Sequence, residues 1–193
     1  MLAKDYSTWP DLPLLPLSKN YIVIKCINTD IVKSELHTKS REIIKRILAY
    51  WINTTNDKIN LVETRYGPSW EGNINDEPFH FSISYSNQII WIAIGRDVEI
   101  GIDACTINNF SELKDVSRLY FDEETYSSIV KSSTPGYDFA KAWSKLEAVS
   151  KLKKSNLVEF KPDRKNQILK DSLKTNLFLD NEHIVTVAFE QRT

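Results

Sequence analysis

An α+β chain made of two halves of related layout is the fold the sequence predicts, and three observations carry it. Short β-branched runs alternate with longer amphipathic stretches. A strand, a helix and further strands precede about residue 80, and strands, helices and strands follow it. No Gly/Ser-rich linker or low-complexity segment separates the two sets, and no repeat is visible at the residue level. The halves are placed at residues 1–85 and 86–193. At 193 residues the chain is long enough to bury a core without disulfides or structural metals.

In order, Tyr21–Ile27 is short and dense in β-branched residues, which predicts a strand. Arg41–Ile52 sets Ile43, Ile44, Ile47, Leu48 and Trp51 on one helical stripe, with Arg41 in the first turn. Lys58–Thr64 reads as extended and Tyr66–Asn73 as a turn-rich loop. His80–Ser86, Ile89–Ile94 and Val98–Cys105 form a central β-meander, its second turn at Gly95-Arg96-Asp97. Helical periodicity runs over Ser111–Lys131, where Asp122-Glu123-Glu124 is a possible division. After the break at Ser132–Gly136 it resumes near Asp138, with Phe139, Ala142, Trp143, Leu146 and Val149 facing inward. Leu157–Phe160, Thr175–Leu179 and Ile184–Phe189 complete the set as strands, the last two joined at Asp180–Glu182.

Charge and cysteine content exclude several classes of function. A net charge of -1 gives no global attraction to nucleic acid or anionic lipid, so any phosphate-binding charge must be local. Cys26 and Cys105 lack CxxC spacing and an accompanying His cluster, which argues against zinc and suits a reducing compartment. Prolines and acidic residues near the N-terminus read against a signal peptide, and no apolar run approaches the ~20 residues that span a bilayer. The expectation is a cytoplasmic protein that binds neither nucleic acid nor membrane.

Two segments carry the candidate chemistry. Strand alternation puts Glu99, Gly101, Asp103 and Cys105 on one face, so Asp103 ends the strand beside a glycine that leaves room for a ligand. Forty residues later Trp143, Glu147 and Lys151 fall at i, i+4 and i+8, close to one line along a helix. Each has a plain structural reading: Asp103 as a chain-turning residue, Glu147 and Lys151 as an intrahelical ion pair. Taken together they read as a divided acidic metal site beside a phosphate-binding lysine.

Gly101-Ile102-Asp103-Ala104-Cys105 and Trp143–Lys151 resemble the G-I-D-x-E and W-x-x-K-E-x-x-x-K motifs of the 4'-phosphopantetheinyl transferases of the surfactin-synthetase-activating type. In the same order His80–Ser86 is similar to that family's F-N-I-S-H-S segment and Tyr66-Gly67-Pro68 to its Y-G-K-P loop. Arg118–Glu124 resembles its R-F-F-x-x-x-E stretch, and Arg41 matches an arginine that opens an N-terminal helix. The likeness covers about residues 40 to 155.

It implies a pseudo-twofold fold and transfer of the phosphopantetheine arm of coenzyme A to a serine of an acyl or peptidyl carrier protein, by a monomer. Magnesium is the implied cofactor and 3',5'-ADP the leaving product. Asp103 and Glu147 are the implied metal ligands, and Glu147 and Lys151 the catalytic residues. Arg41, Ser84, Tyr85 and Lys151 are the implied coenzyme A contacts.

Four departures accompany the resemblance. Cys105 stands where the family has an acid, Leu146 where it has a lysine, and Tyr85 where it has the 3'-phosphate-binding histidine. The basic stretch before the first helix is reduced to Thr29–Ser40, with Lys33 and Lys39. They motivate a second expectation: a catalytically impaired transferase-like protein that acts as a carrier-protein-binding or regulatory partner.

Overall fold

The computed structural model describes residues 4–5, 21–27, 35–74, 77–155, 174–180 and 182–191. The chain is of the α+β class, with four α-helices and small, mostly antiparallel sheets among the described residues. It divides into two compact units, residues 1–100 with 190–193, and residues 101–189.

In the first unit lie β1 (Lys4–Asp5), β2 (Tyr21–Ile27), α1 (Leu36–Trp51), β3 (Leu61–Thr64), β4 (Gly67–Trp70), β5 (Asn73–Ile74), β6 (Glu77–Ser86) and β7 (Ile89–Arg96). Five strands form a sheet in the order β1-β2-β7-β6-β5, antiparallel except for the β1–β2 pair. Side chains alternate along these strands. Ile24 and Cys26 of β2, Ile90, Ile92 and Ile94 of β7, and Phe79, Phe81, Ile83 and Tyr85 of β6 therefore share one core with the apolar stripe of α1. Ile43, Ile44, Ile47 and Leu48, the stripe expected from periodicity, are fully buried there.

Helix α1 begins at Leu36, five residues before the expected start, because Leu36 is itself a buried core residue. Arg41 consequently lies in the second turn. Gly67–Trp70, expected as loop, is a strand paired with β3 in a two-stranded hairpin, while Asn56–Lys58 forms a 3-10 turn.

Within the central meander only β6 and β7 pair as neighbours. Both edges of β7 are already hydrogen-bonded, to β2 and β6, so the next strand, β8 (Val98–Thr106), has no place beside it. The chain turns at Asp97, in the left-handed region at φ 51°, and β8 joins a three-stranded sheet of order β8-β10-β9. A boundary at 85/86 would cut the β6–β7 ladder; the division between the units falls instead at 100/101.

The second unit contains most of β8, then α2 (Phe110–Tyr120), α3 (Glu123–Lys131), α4 (Pro135–Leu152), β9 (Lys174–Asp180) and nearly all of β10 (His183–Gln191). The helical stretch after β8 divides at Asp122, whose carboxylate accepts the Thr125 amide at 2.6 Å and caps α3. Pro135 opens α4, where a proline has no hydrogen bond to lose. This helix is buried on two sides. Phe139 and Leu146 pack with Phe121 and Ile129, and Ala148, Val149 and Leu152 with Ala188 of β10. Trp143 stacks on Phe139 at 5.7 Å and meets Tyr120 edge-on at 5.2 Å. The hydroxyls of Ser144 and Thr186 bond at 2.7 Å, tying α4 to β10.

The strand expected at Leu157–Phe160 lies outside the described residues. Among the described residues no helix is long and apolar enough to cross a membrane.

Candidate active site

Close contact between β8 and α4 creates the site. A Cβ added at Gly101 would overlap the carbonyl oxygen of Ala148 and lie 2.7 Å from the amide nitrogen of Leu152. The glycine therefore makes room for the backbone of α4, not for a ligand as its place beside Asp103 suggested. Because Asp103 and Cys105 share the face of Gly101, they are carried toward the same helix.

Lys151 completes the link. Its Nζ donates to Asp103 Oδ1 at 2.8 Å and to the carbonyl oxygen of Ile102 at 3.0 Å. Lys151 thus spans to the strand, and among the described residues no ion pair joins it to Glu147, one turn earlier on the same helix, so the plain reading of the two as an intrahelical pair does not hold. Asp103 is buried and Lys151 about one-third exposed at the side chain, so this is a bridge at the edge of the core.

Glu147 senses the same neighbourhood. Burial pushes its carboxyl above the ordinary glutamate range, the negative Asp103 adds to that, and Lys151 acts in the opposite sense. Burial, then Asp103, then Glu147 push the Cys105 thiol up to about 12, so Cys105 remains a neutral thiol at ordinary pH. Two carboxylates and one ammonium accordingly share the site, with a thiol that is no ligand for a hard cation. Among the described residues no group of three or more His, Cys, Asp or Glu side chains is arranged to hold a metal. The oxygen donor set fits a hard cation only as a two-carboxylate site that keeps water or substrate oxygens as further ligands.

Leu146, at the family's lysine position, is fully buried among Phe121, Ile129 and Phe139. The adjacent Lys145 lines a cavity of about 780 Å³ over α3 and α4 with Lys131 and Lys141, and burial, then Lys141, lower its pKa. Trp143 is an aromatic packing residue in this arrangement.

In the first unit the structure brings Arg41 and Tyr85 together but leaves Ser84 apart. Arg41 Nη1 donates to Tyr85 Oη and to Ser40 Oγ, each at 2.9 Å. Ser40 Oγ donates to the carbonyl oxygen of His37 at 2.8 Å, which leaves Tyr85 Oη as the donor in the 2.8 Å bond between Tyr85 and Ser40. The other edge of the guanidinium, Nε and Nη2, grips Glu63 bidentately at 2.7 and 2.9 Å. Tyr85 faces the α1 side of the sheet, where its ring meets His37 at 4.8 Å between centroids. Ser84, next in the strand, is buried on the opposite face in register with Trp91.

Sequence reasoning missed Ser40 and Glu63 as partners of Arg41, and His37 as the residue that meets Ser40 and Tyr85. The adjacency of Ser40 to Arg41 was a usable signal. Glu63, on a short strand with no motif, had none. Compared with family models and with curated proteins, the sequence returns no match.

Proposed function

We propose that this chain transfers the 4'-phosphopantetheine arm of coenzyme A to a serine of an acyl or peptidyl carrier protein. The observation that carries the reading is the convergence of Asp103, Glu147 and Lys151 from a strand and a helix more than forty residues apart in sequence. The two α+β units are read as the two related halves of the family fold, and the protein as a cytoplasmic monomer that needs no partner chain to build its site.

The chemistry follows from the side chains. The carrier serine hydroxyl attacks the phosphorus that bears the pantetheine. A new P–O bond to serine forms, and the bond to the leaving phosphate of 3',5'-ADP breaks. The Glu147 carboxylate, made more basic by burial and by Asp103, takes the serine proton directly or through water. Lys151 carries the positive charge that stabilises the diphosphate oxygens, exchanging part of its bond to Asp103 for that role. Magnesium, held by Asp103 and Glu147, would supply additional positive charge to the diphosphate. Arg41 and Tyr85 are assigned to the 3'-phosphate end of coenzyme A. Ser84, on the opposite sheet face from Tyr85, is not retained beside them.

A second reading, a transferase-like protein retaining carrier binding without turnover, is favoured by a specific pair of observations: Cys105 is a neutral thiol and Leu146 is sealed in the core. One experiment separates the two. Purified protein is incubated with magnesium, coenzyme A and a panel of carrier proteins, and the carriers are weighed by mass spectrometry. The transferase reading expects the mass increase of one phosphopantetheine, reduced ~10²–10⁴-fold in Glu147→Gln and lost in Asp103→Ala. Full activity in both variants sinks these roles. Carrier binding with no mass increase leaves the second reading.

A further inference from the structure

The fork of Arg41 that would meet a phosphate is already filled from within the chain. An arginine offers five N–H groups, and Arg41 commits four of them here. The Nη1 bonds to Ser40 and Tyr85 fix the guanidinium on the partly buried side. They leave the Nε–Nη2 edge as the bidentate face, the geometry with which arginine takes either a carboxylate or a phosphate. Glu63 occupies that edge. Its own side chain is 59% exposed, whereas Arg41 is 18% exposed, so the carboxylate is the member that can swing into solvent without disturbing the core.

The surroundings suit an anion. His37, Arg41 and Lys45 stand at i, i+4 and i+8 on α1, and with Thr38, Glu42 and Glu63 they line a groove of about 430 Å³. Glu42 is paired with Lys39 at 3.2 Å, and Lys45 has no ion pair among the described residues. Displacing the Glu63 carboxylate would leave the groove with Arg41, Lys45, His37 and the Thr38 hydroxyl, and with one carboxylate, Glu42, that is already paired with Lys39.

We propose that Glu63 is an exchangeable internal anion that determines what this groove admits. It holds the Arg41 fork until a phosphate monoester, carrying more charge than the carboxylate, replaces it. Anions with no more charge than a carboxylate gain nothing by the exchange and are refused. This rests on the reading of Arg41 as an anion-binding residue of the coenzyme A site.

The test is titration calorimetry with inorganic phosphate, 3'-AMP and acetate against the wild type, Glu63→Gln, Arg41→Ala and the double variant. Glu63→Gln should bind phosphate and 3'-AMP about tenfold or more tightly than the wild type and should gain measurable affinity for acetate. Arg41→Ala should remove the gain in the double variant. Phosphate affinity unchanged or weakened in Glu63→Gln, or a gain that persists without Arg41, overturns the proposal. So does the absence of phosphate binding in every variant.

Neither magnesium nor a carrier enters these measurements, so the outcomes separate from the transferase reading. Tighter phosphate binding in a protein that binds no coenzyme A leaves the exchange standing and removes the transferase. Coenzyme A transfer with phosphate affinity indifferent to Glu63 does the reverse.

Discussion

The Arg41 cluster of the first unit and the Asp103 cluster of the second are balanced in opposite ways. Arg41 meets one carboxylate and two hydroxyls, so its charge and nearly all of its donors are answered within the unit. Lys151 donates to Asp103 and to the carbonyl oxygen of Ile102, and among the described residues it forms no ion pair with Glu147. Glu147 is left half-buried and pushed toward its protonated form. One cluster is closed by an internal ligand, and in the other a half-buried acid, Glu147, stands without an ion pair of its own among the described residues. A closed cluster contributes to stability and resists entry, whereas a charge-deficient one trades stability for the ability to bind a cation. Leu146 and Gly101, which flank the second cluster in sequence, are tightly packed, whereas Glu63 of the first is exposed, so changes near the second cluster should disturb the molecule more.

The largest effect is expected at Leu146. It is completely buried among Phe121, Ile129 and Phe139, so truncation to alanine should cost ~2–5 kcal/mol through lost transfer energy and the cavity left behind. Leu146→Lys, which introduces the residue of the motif this helix resembles, should cost at least as much, because the ammonium would enter a pocket walled by Phe121, Ile129 and Phe139. Urea unfolding of both variants measures this. Wild-type stability in Leu146→Lys would mean that the lysine escapes to solvent, and would remove the main obstacle to reading this helix as a complete family motif.

What was legible in the sequence follows the same division between packing and pairing. The α1 and α4 stripes were readable because burial repeats with the helix period, and Asp103, Glu147 and Lys151 because two regular elements set their faces. The partner of Lys151 was not readable. Spacing satisfies an i, i+4 pair with Glu147 equally well, and only the nearness of β8 to α4 decides for Asp103. The departure of β8 from its neighbours depended on β2, seventy residues earlier, having already taken the free edge of β7. Glu63 was invisible because its role is set by the β3–β4 hairpin and by nothing in the residues around it.

Gly101→Ala should come next in size. The added methyl overlaps backbone atoms of α4, which cannot rotate away as a side chain would. Overpacking of this kind costs ~1–3 kcal/mol, and here it must also push β8 and α4 apart at the turn that precedes Lys151. The expected signature is a loss of stability by urea unfolding together with, on the transferase reading proposed above, weaker transfer to the carrier, since the Asp103–Lys151 bond lies one turn from the clash. Lost stability with transfer rates unchanged would show that the separation of β8 and α4 is not critical to the site.

The smallest effect distinguishes the closed cluster from the open one by its pH dependence. The hydrogen bonds from Arg41, reinforced by its charge, hold the Glu63 carboxyl below the ordinary glutamate range despite some opposing desolvation. A carboxyl with a depressed folded pKa stabilises the fold above its unfolded value, and that contribution fades as pH falls through the depressed one. For an exposed glutamate the pair is worth only ~0–1 kcal/mol. Wild type and Glu63→Gln should therefore differ by at most that amount in urea at neutral pH, and should converge in acid and at high salt. A gap well above 1 kcal/mol, or one that survives below the glutamate range, would mean that Glu63 is a structural strut. A group so weakly held for folding can yield its place to a phosphate at small cost, which is the property an exchangeable anion requires.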